Sequence, residues 1–182
     1  MANTYTLIAS STVGSGGVSS IDFTSISGTY TDLKVVFSGR TDGVSQLRDY
    51  FLIRFNSSTS GYSRRWLYGY DSSATGSGSA TSESYGFAGT TNGPDSTAST
   101  FGNAEIYIPN YTSTSINKSY SVDAVTENNS STTWMVNFTA GLWSNTAAIT
   151  SITLFPAGGN VSSPTGKFLQ YSTAYLYGIK NS

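Results

Sequence analysis

From Phe101 to Gly178 the chain is a succession of extended runs separated by short polar breaks. Phe101 to Ile108 reads FGNAEIYI, Ser119 to Thr126 reads SYSVDAVT, and Thr132 to Trp143 reads TTWMVNFTAGLW. Ala148 to Phe155 follows, and Phe168 to Ile179 is a fifth run. Apolar and polar residues alternate with a period of two, and β-branched and aromatic residues dominate, which is the signature of half-buried strands. In the third run Trp134, Val136, Phe138 and Ala140 alternate with Met135, Asn137 and Thr139, and Gly141 reads as a bulge. No stretch shows helical periodicity longer than a turn. A chain of this kind must bury the apolar face of each strand against a second layer of sheet.

The first half has the same rhythm. Tyr5 to Ser10, Val18 to Phe23, Leu33 to Ser38, Tyr50 to Phe55 and Tyr62 to Tyr70 read as strands, with a Gly/Ser turn at Ser11 to Gly17. About ten strands at these spacings predict one all-β domain over residues 1–182, an antiparallel β-sandwich. A jelly roll is the first expectation and an immunoglobulin-like sandwich the alternative. One region breaks the pattern. Asp71 to Ser82 is low-complexity Ser, Gly, Ala and Thr, and Thr90 to Thr100 contains the turn sequence Asn92-Gly93-Pro94-Asp95, with a weak strand from Ser84 to Gly89 between them. Asp71 to Ser99 is therefore expected to be an insert at one end of the sandwich, mobile or ordered by a partner.

Composition narrows the chemistry. Charged residues are 10% of the chain, against a usual ~25%, and nine basic against ten acidic residues leave a net charge of −1. Such a balance offers little attraction to nucleic acid or an anionic membrane, so neither is an expected partner. No apolar run approaches the ~20 residues of a membrane span, and the N-terminus lacks the basic and apolar regions of a signal peptide. Ser and Thr number 33 and 25, nearly a third of the chain, and supply the surface polarity that charges usually supply.

With no His and no Cys, imidazole bases, cysteine nucleophiles, disulfides and thiolate or imidazole metal sites are all missing. The acids are scattered. Asp123 and Glu127 share a strand face but lie ~13 Å apart, too far for a glycosidase pair. The chain is expected to be no enzyme and to need no cofactor and no metal. The one concentration of basic and aromatic groups is Arg64, Arg65, Trp66, Tyr68 and Tyr70. It reads as an ordinary strand, as a protein interface, or as a glycan patch in which rings stack on sugars and Arg pairs with acids. Tyr171, Tyr175 and Tyr177 share one side of the last run, either a half-buried aromatic face or a face between subunits.

Several stretches resemble small virion structural proteins of tailed phages of aquatic bacteria, cyanophages especially. They are YTLIASSTVGSGGVSSIDFTSISGTYTDLKVVFSGRT at the start, FLIRFNSSTSGYS, FGNAEIYIPNYTSTSINKSYSVDAVTENN, GLWSNTAAITSITLF and the closing FLQYSTAYLYGI. The resemblance spans most of the chain outside Asp71 to Ser99. It implies a β-sandwich on a particle surface, often a homotrimer, made in the host bacterial cytoplasm and ending in the virion. It implies no catalytic residue. Two functions fit it. One is a capsid decoration, or cement, protein bound to the major capsid protein or other virion proteins, with Met1 to Gly17 or the insert reaching across a subunit boundary. The alternative is a tail-fibre or tail-associated domain that binds host-surface polysaccharide.

Overall fold

A computed structural model of the chain describes residues 4–43, 46–71, 74–130, 132–159 and 164–180. Twelve strands make up its regular structure. They are β1 (Tyr5–Thr12), β2 (Ile21–Phe23), β3 (Asp32–Gly39), β4 (Arg48–Phe55), β5 (Tyr62–Tyr70), β6 (Ala74–Glu83), β7 (Gly86–Asn92), β8 (Gly102–Ile108), β9 (Lys118–Thr126), β10 (Met135–Trp143), β11 (Ile152–Pro156) and β12 (Thr173–Ile179). They form an eight-stranded sheet, β1-β12-β3-β8-β9-β10-β5-β6, and a four-stranded sheet, β2-β11-β4-β7. All strand pairs are antiparallel.

The order decides for the jelly roll. In an eight-stranded jelly roll one sheet holds the first, eighth, third and sixth strands, and the other holds the second, seventh, fourth and fifth. The small sheet, β2-β11-β4-β7, is the first of these. The large sheet contains the second, β3, then β8-β9-β10, then β5-β6, with the seventh position widened into a three-strand meander. The extra pair β1 and β12 extends the sheet beyond β3. Apart from the β5–β6 hairpin and the β8-β9-β10 meander, every connection crosses between the sheets, whereas an immunoglobulin-like sandwich, with sheets ABED and CFG, crosses at only half of its connections.

The strands form where alternation predicts them because one face of each is buried. Buried positions alternate with exposed or half-buried ones along β8, β9 and β10, and along β3 from Leu33 to Gly39; on β10, against the expected burial of the apolar side, Met135, Asn137 and Thr139 face inward and Val136 and Phe138 face outward. Two aromatic groups fill the space between the sheets. Phe37 stacks on Phe51 at 4.2 Å between ring centroids, with Phe168 against both. Phe55, Tyr62, Tyr120 and Trp143 form the second group, with the Tyr62 and Trp143 rings nearly parallel. Burying each such ring contributes about 2–3 kcal/mol.

Three expectations are corrected by the fold. Asp71 to Ser99 is not a structureless insert: β6 and β7 occupy most of it, and β7 is buried at all seven positions. Its last segment is tied down, because Arg40 donates through Nη1 to Thr97 O (2.8 Å) and Thr100 O (3.3 Å), and through Nη2 to Pro94 O (2.9 Å) and Ser96 O (2.7 Å). The strand expected over Tyr5 to Ser10 is β1, paired along β12; Met1 to Asn3 lie outside the described residues. Gly141 is no bulge, since β10 keeps continuous register with both neighbours. A Cβ at Gly141 would fall 2.0 Å from the Tyr120 ring, so the glycine makes room for that ring. The last run is split: Phe168 forms isolated bridges to Val18 and Thr41, and Tyr171 sits in a turn at φ 72° before β12 begins.

Burial pushes the Tyr62 hydroxyl up from 10.0 to about 12, and the Tyr120 hydroxyl is raised by the same cause. The raised value favours the neutral ring in the folded state. Its contribution is complete below pH 10, where the unfolded tyrosine is also neutral, and is lost as the pH climbs toward 12. Denaturant titrations at increasing pH are expected to show about 2–3 kcal/mol lost over this window from Tyr62, and Tyr62→Phe should flatten that dependence. An equally steep loss in the variant assigns the pH dependence to other groups.

Candidate functional site: an aromatic groove at the overhang

The two sheets differ in width. The edge strand β7 of the small sheet packs across from β8, β9 and β10 and, at its margin, β5. Strands β5 and β6 lie at the end of the large sheet and run on past it. The core-facing side of β5 therefore changes character along the strand. Tyr62 is buried, but Arg64, Trp66, Tyr68 and Tyr70, on the same side by alternation, are half-exposed. They form the floor of a groove of about 470 Å³. Asn137 and Met135 extend the floor on β10, and Arg48, Tyr50 and Phe87 come round the rim of the small sheet to close the other side.

The flatness of the floor comes from β6. Tyr68 is paired with Gly76 and Trp66 with Gly78. A Cβ on Gly78 would lie 2.3 Å from Trp66 Cζ2, and one on Gly76 would lie 2.5 Å from the Tyr68 hydroxyl. Both rings thus lie across the neighbouring strand over bare glycine backbone, which is how aromatic side chains cover exposed glycines in sheets. The Gly-Ser alternation that reads as low complexity is the seat of two aromatic plates.

Two guanidinium groups flank these plates. Arg64 lies between Trp66 and Phe87, its Cζ 4.7 and 4.6 Å from the ring centroids, and its Nη2 meets Glu83 Oε1 at 3.1 Å. Burial raises the Glu83 carboxyl above the usual range, and Arg64 opposes that rise. Arg48 lies over Tyr70 at 4.7 Å and Tyr50 at 5.1 Å. Asn137 is 2% exposed and its Oδ1 accepts the Thr139 hydroxyl at 2.8 Å, so its amide NH2 is the group it can offer a ligand.

The structure thus brings Arg64, Trp66, Tyr68 and Tyr70 together and separates Arg65 from them. Arg65 is exposed on the opposite face, where its Nη1 donates to Arg64 O at 2.9 Å. That outer face also carries Leu67, Phe138 and Val136, which are 63%, 57% and 41% exposed. Tyr175 and Tyr177 are half-buried on β12, with Tyr177 edge-on to Tyr5 at 6.5 Å, while Tyr171 is apart from them in its turn. Arg48, Tyr50, Phe87, Met135 and Asn137 escape a reading by sequence. They reach the groove from three other strands, and the only local hint is the Arg48-Asp49-Tyr50 start of β4. Asp123 and Glu127 form no pair, since Asp123 is on β9 and Glu127 lies past its end, accepting the Asn129 N–H at 2.7 Å.

The fold and groove define a jelly-roll sandwich that carries a shallow, aromatic, arginine-flanked cleft at one end of its larger sheet. No family model matches the chain, and no curated protein matches it. Among solved structures it is similar to the CBM2 module of the evolved Dit of Lactobacillus casei BL23 phage J-1, at 12% identity, with 90% of this chain and 70% of that chain covered and a TM-score of 0.21. A score of that size carries no argument about function.

The floor itself is testable. Gly78→Val is expected to lift the Trp66 indole off the sheet at a cost near the low end of ~1–3 kcal/mol, because the ring is free to swing into the groove. Acrylamide quenching of tryptophan fluorescence should rise while the far-ultraviolet circular dichroism is unchanged. Unaltered quenching would mean that the ring does not lie over Gly78.

Proposed function

We propose that the chain is a non-enzymatic, glycan-binding β-sandwich of a tailed-phage particle, in which the groove holds a saccharide of the host surface. The observation that carries the reading is the pair of rings, Trp66 and Tyr68, laid over Gly78 and Gly76 on an uncovered part of the large sheet. A sugar ring has a flat face of C–H groups and a rim of hydroxyls. A flat aromatic surface removes the C–H face from water, and nearby N–H and O–H groups meet the rim. The groove offers both, with Tyr50, Tyr68 and Tyr70 hydroxyls, the Asn137 amide and two guanidinium groups around the plates. A concave, mostly apolar site with a few convergent polar groups is the usual form of a small-ligand site. The resemblance to small virion proteins supplies the setting, and this reading places the chain with the tail and its host-recognition parts.

A second reading rests on a different surface. The outer face of the large sheet exposes Leu67, Phe138 and Val136 side by side with Tyr107 and Tyr5 further along. An apolar patch of this kind favours a protein partner, as a capsid decoration protein bound to the major capsid protein, in homotrimers, requires. The two readings differ in copy number. Quantitative mass spectrometry of virions would give this chain in proportion to the major capsid protein if it decorates the capsid, and in a small number of copies if it belongs to the tail.

The groove is tested on a glycan array followed by calorimetry on the best binder. Trp66→Ala is expected to weaken binding by about tenfold or more, since an anchoring aromatic is worth ~1–3 kcal/mol. Phe138→Ser on the outer face should leave glycan affinity unchanged. Equal loss from both variants, or none from Trp66→Ala, would remove the groove as the site.

A further inference from the structure

We infer that the saccharide held in the groove is acidic, and that Arg48 is the residue that recognises its negative group. This rests on the glycan reading of the groove and adds the ligand's charge. The inference comes from the pairing of the two arginines. Arg64 has a carboxylate partner, Glu83. Arg48 has none among the described residues, which include all ten acids of the chain. No Asp or Glu lines the groove. Its lining is therefore net positive in a chain whose net charge is −1.

The Arg48 guanidinium is also held rather than loose. Its Cζ lies over the Tyr50 and Tyr70 rings, and Nη1 donates to Met135 Sδ at 3.0 Å. Thioether sulfur is a weak acceptor, so the hydrogen-bonding capacity of the group is mostly unspent. A half-buried arginine held between two rings, with only a thioether as acceptor, keeps N–H groups to meet a planar or tetrahedral anion by paired hydrogen bonds. The shared chemistry is an anionic oxygen pair beside a sugar ring. It is supplied equally by the carboxylate of a uronic acid and by a sulfate ester, and the sugar ring then lies on Trp66 and Tyr68. The nearest acid in sequence, Asp49, is not available to neutralise Arg48. Its carboxylate is buried, accepting from Thr41 Oγ1 (2.8 Å), Tyr50 N (2.6 Å) and Gly159 N (2.7 Å).

The test uses the full chain on an array of matched pairs: polygalacturonate and alginate, each with its carboxyl-reduced form, and carrageenan with its desulfated form. Wild type is expected to bind at least one charged polysaccharide and to lose about tenfold or more on its neutral twin. The size of the loss on carboxyl reduction against desulfation separates the two sources of charge. Arg48→Gln should produce a clearly larger loss on the charged ligand than on its neutral twin, with Arg48→Lys between wild type and Arg48→Gln. Binding to the charged ligand should weaken with added salt. Equal binding to both members of every pair, insensitive to salt and to Arg48→Gln, would overturn the charge assignment and leave the glycan reading standing. No binding to any polysaccharide, charged or neutral, would overturn both. The comparison of matched ligands on wild type needs no variant, so a folding defect in Arg48→Gln would not obscure the result.

Discussion

The two sheets of this sandwich are unequal, and most of what is distinctive about the molecule depends on that. A four-stranded sheet covers the middle of an eight-stranded one. Over β3, β8, β9 and β10 the inner face meets a second layer, and its Phe37 and Trp143 pack closely against Phe51 and Phe55 of the small sheet. Beyond β7 the same face continues on β5 and β6, where it carries aromatic rings again, now with Arg64 among them and with solvent in place of the opposite sheet. Apolar surface left uncovered in this way is a cost to the isolated fold and a ready site for a ligand. The groove is thus continuous with the core; it is the part of the core that the smaller sheet does not reach.

Glycine is the means by which the chain accommodates so many rings. Gly141 lies under Tyr120 in the core, and Gly76 and Gly78 lie under Tyr68 and Trp66 in the groove. In each case a Cβ would collide with the ring, so the aromatic lies flat along the sheet and does not stand up from it. In the core this keeps the layer between the sheets filled at native density. At the overhang the same arrangement turns two side chains into a plane. The hydroxyl-rich, low-charge composition is consistent with this design, because the exposed side of β6 is finished with Ser and Thr and leaves the sheet's polarity to hydroxyls.

The strands were legible because alternation is a local property of the chain. The runs at Leu33 to Ser38, Tyr50 to Phe55, Phe101 to Ile108 and Ser119 to Thr126 all became strands within a residue or two of the predicted ends. Residues 74–83 were not legible, and of β7 only a weak strand from Ser84 to Gly89 could be read. Gly, Ser and Thr in alternation look like a loop when read alone, and only the pairing with β5 reveals that the glycines face the rings of Trp66 and Tyr68. The candidate site was half-visible for the same reason. Arg64, Trp66, Tyr68 and Tyr70 are neighbours on one strand and share a face by period two. Arg48, Tyr50, Phe87 and Asn137 are distant in sequence and join them only through the crossing of strands between sheets.

By itself, the sequence determined that the chain is all-β, that it builds its surface from hydroxyls and not charges, and that imidazole and thiol chemistry are absent. Those properties follow from residue type and from a two-residue period, which each strand carries without reference to the others. The tertiary structure alone decided that the large sheet outruns the small one, that β6 is a seat for aromatic rings, and that Arg48 stands unpaired beside them. Which strand lies next to which depends on contacts across the whole chain, on the order of its crossovers and on where the second layer ends. No local pattern records these.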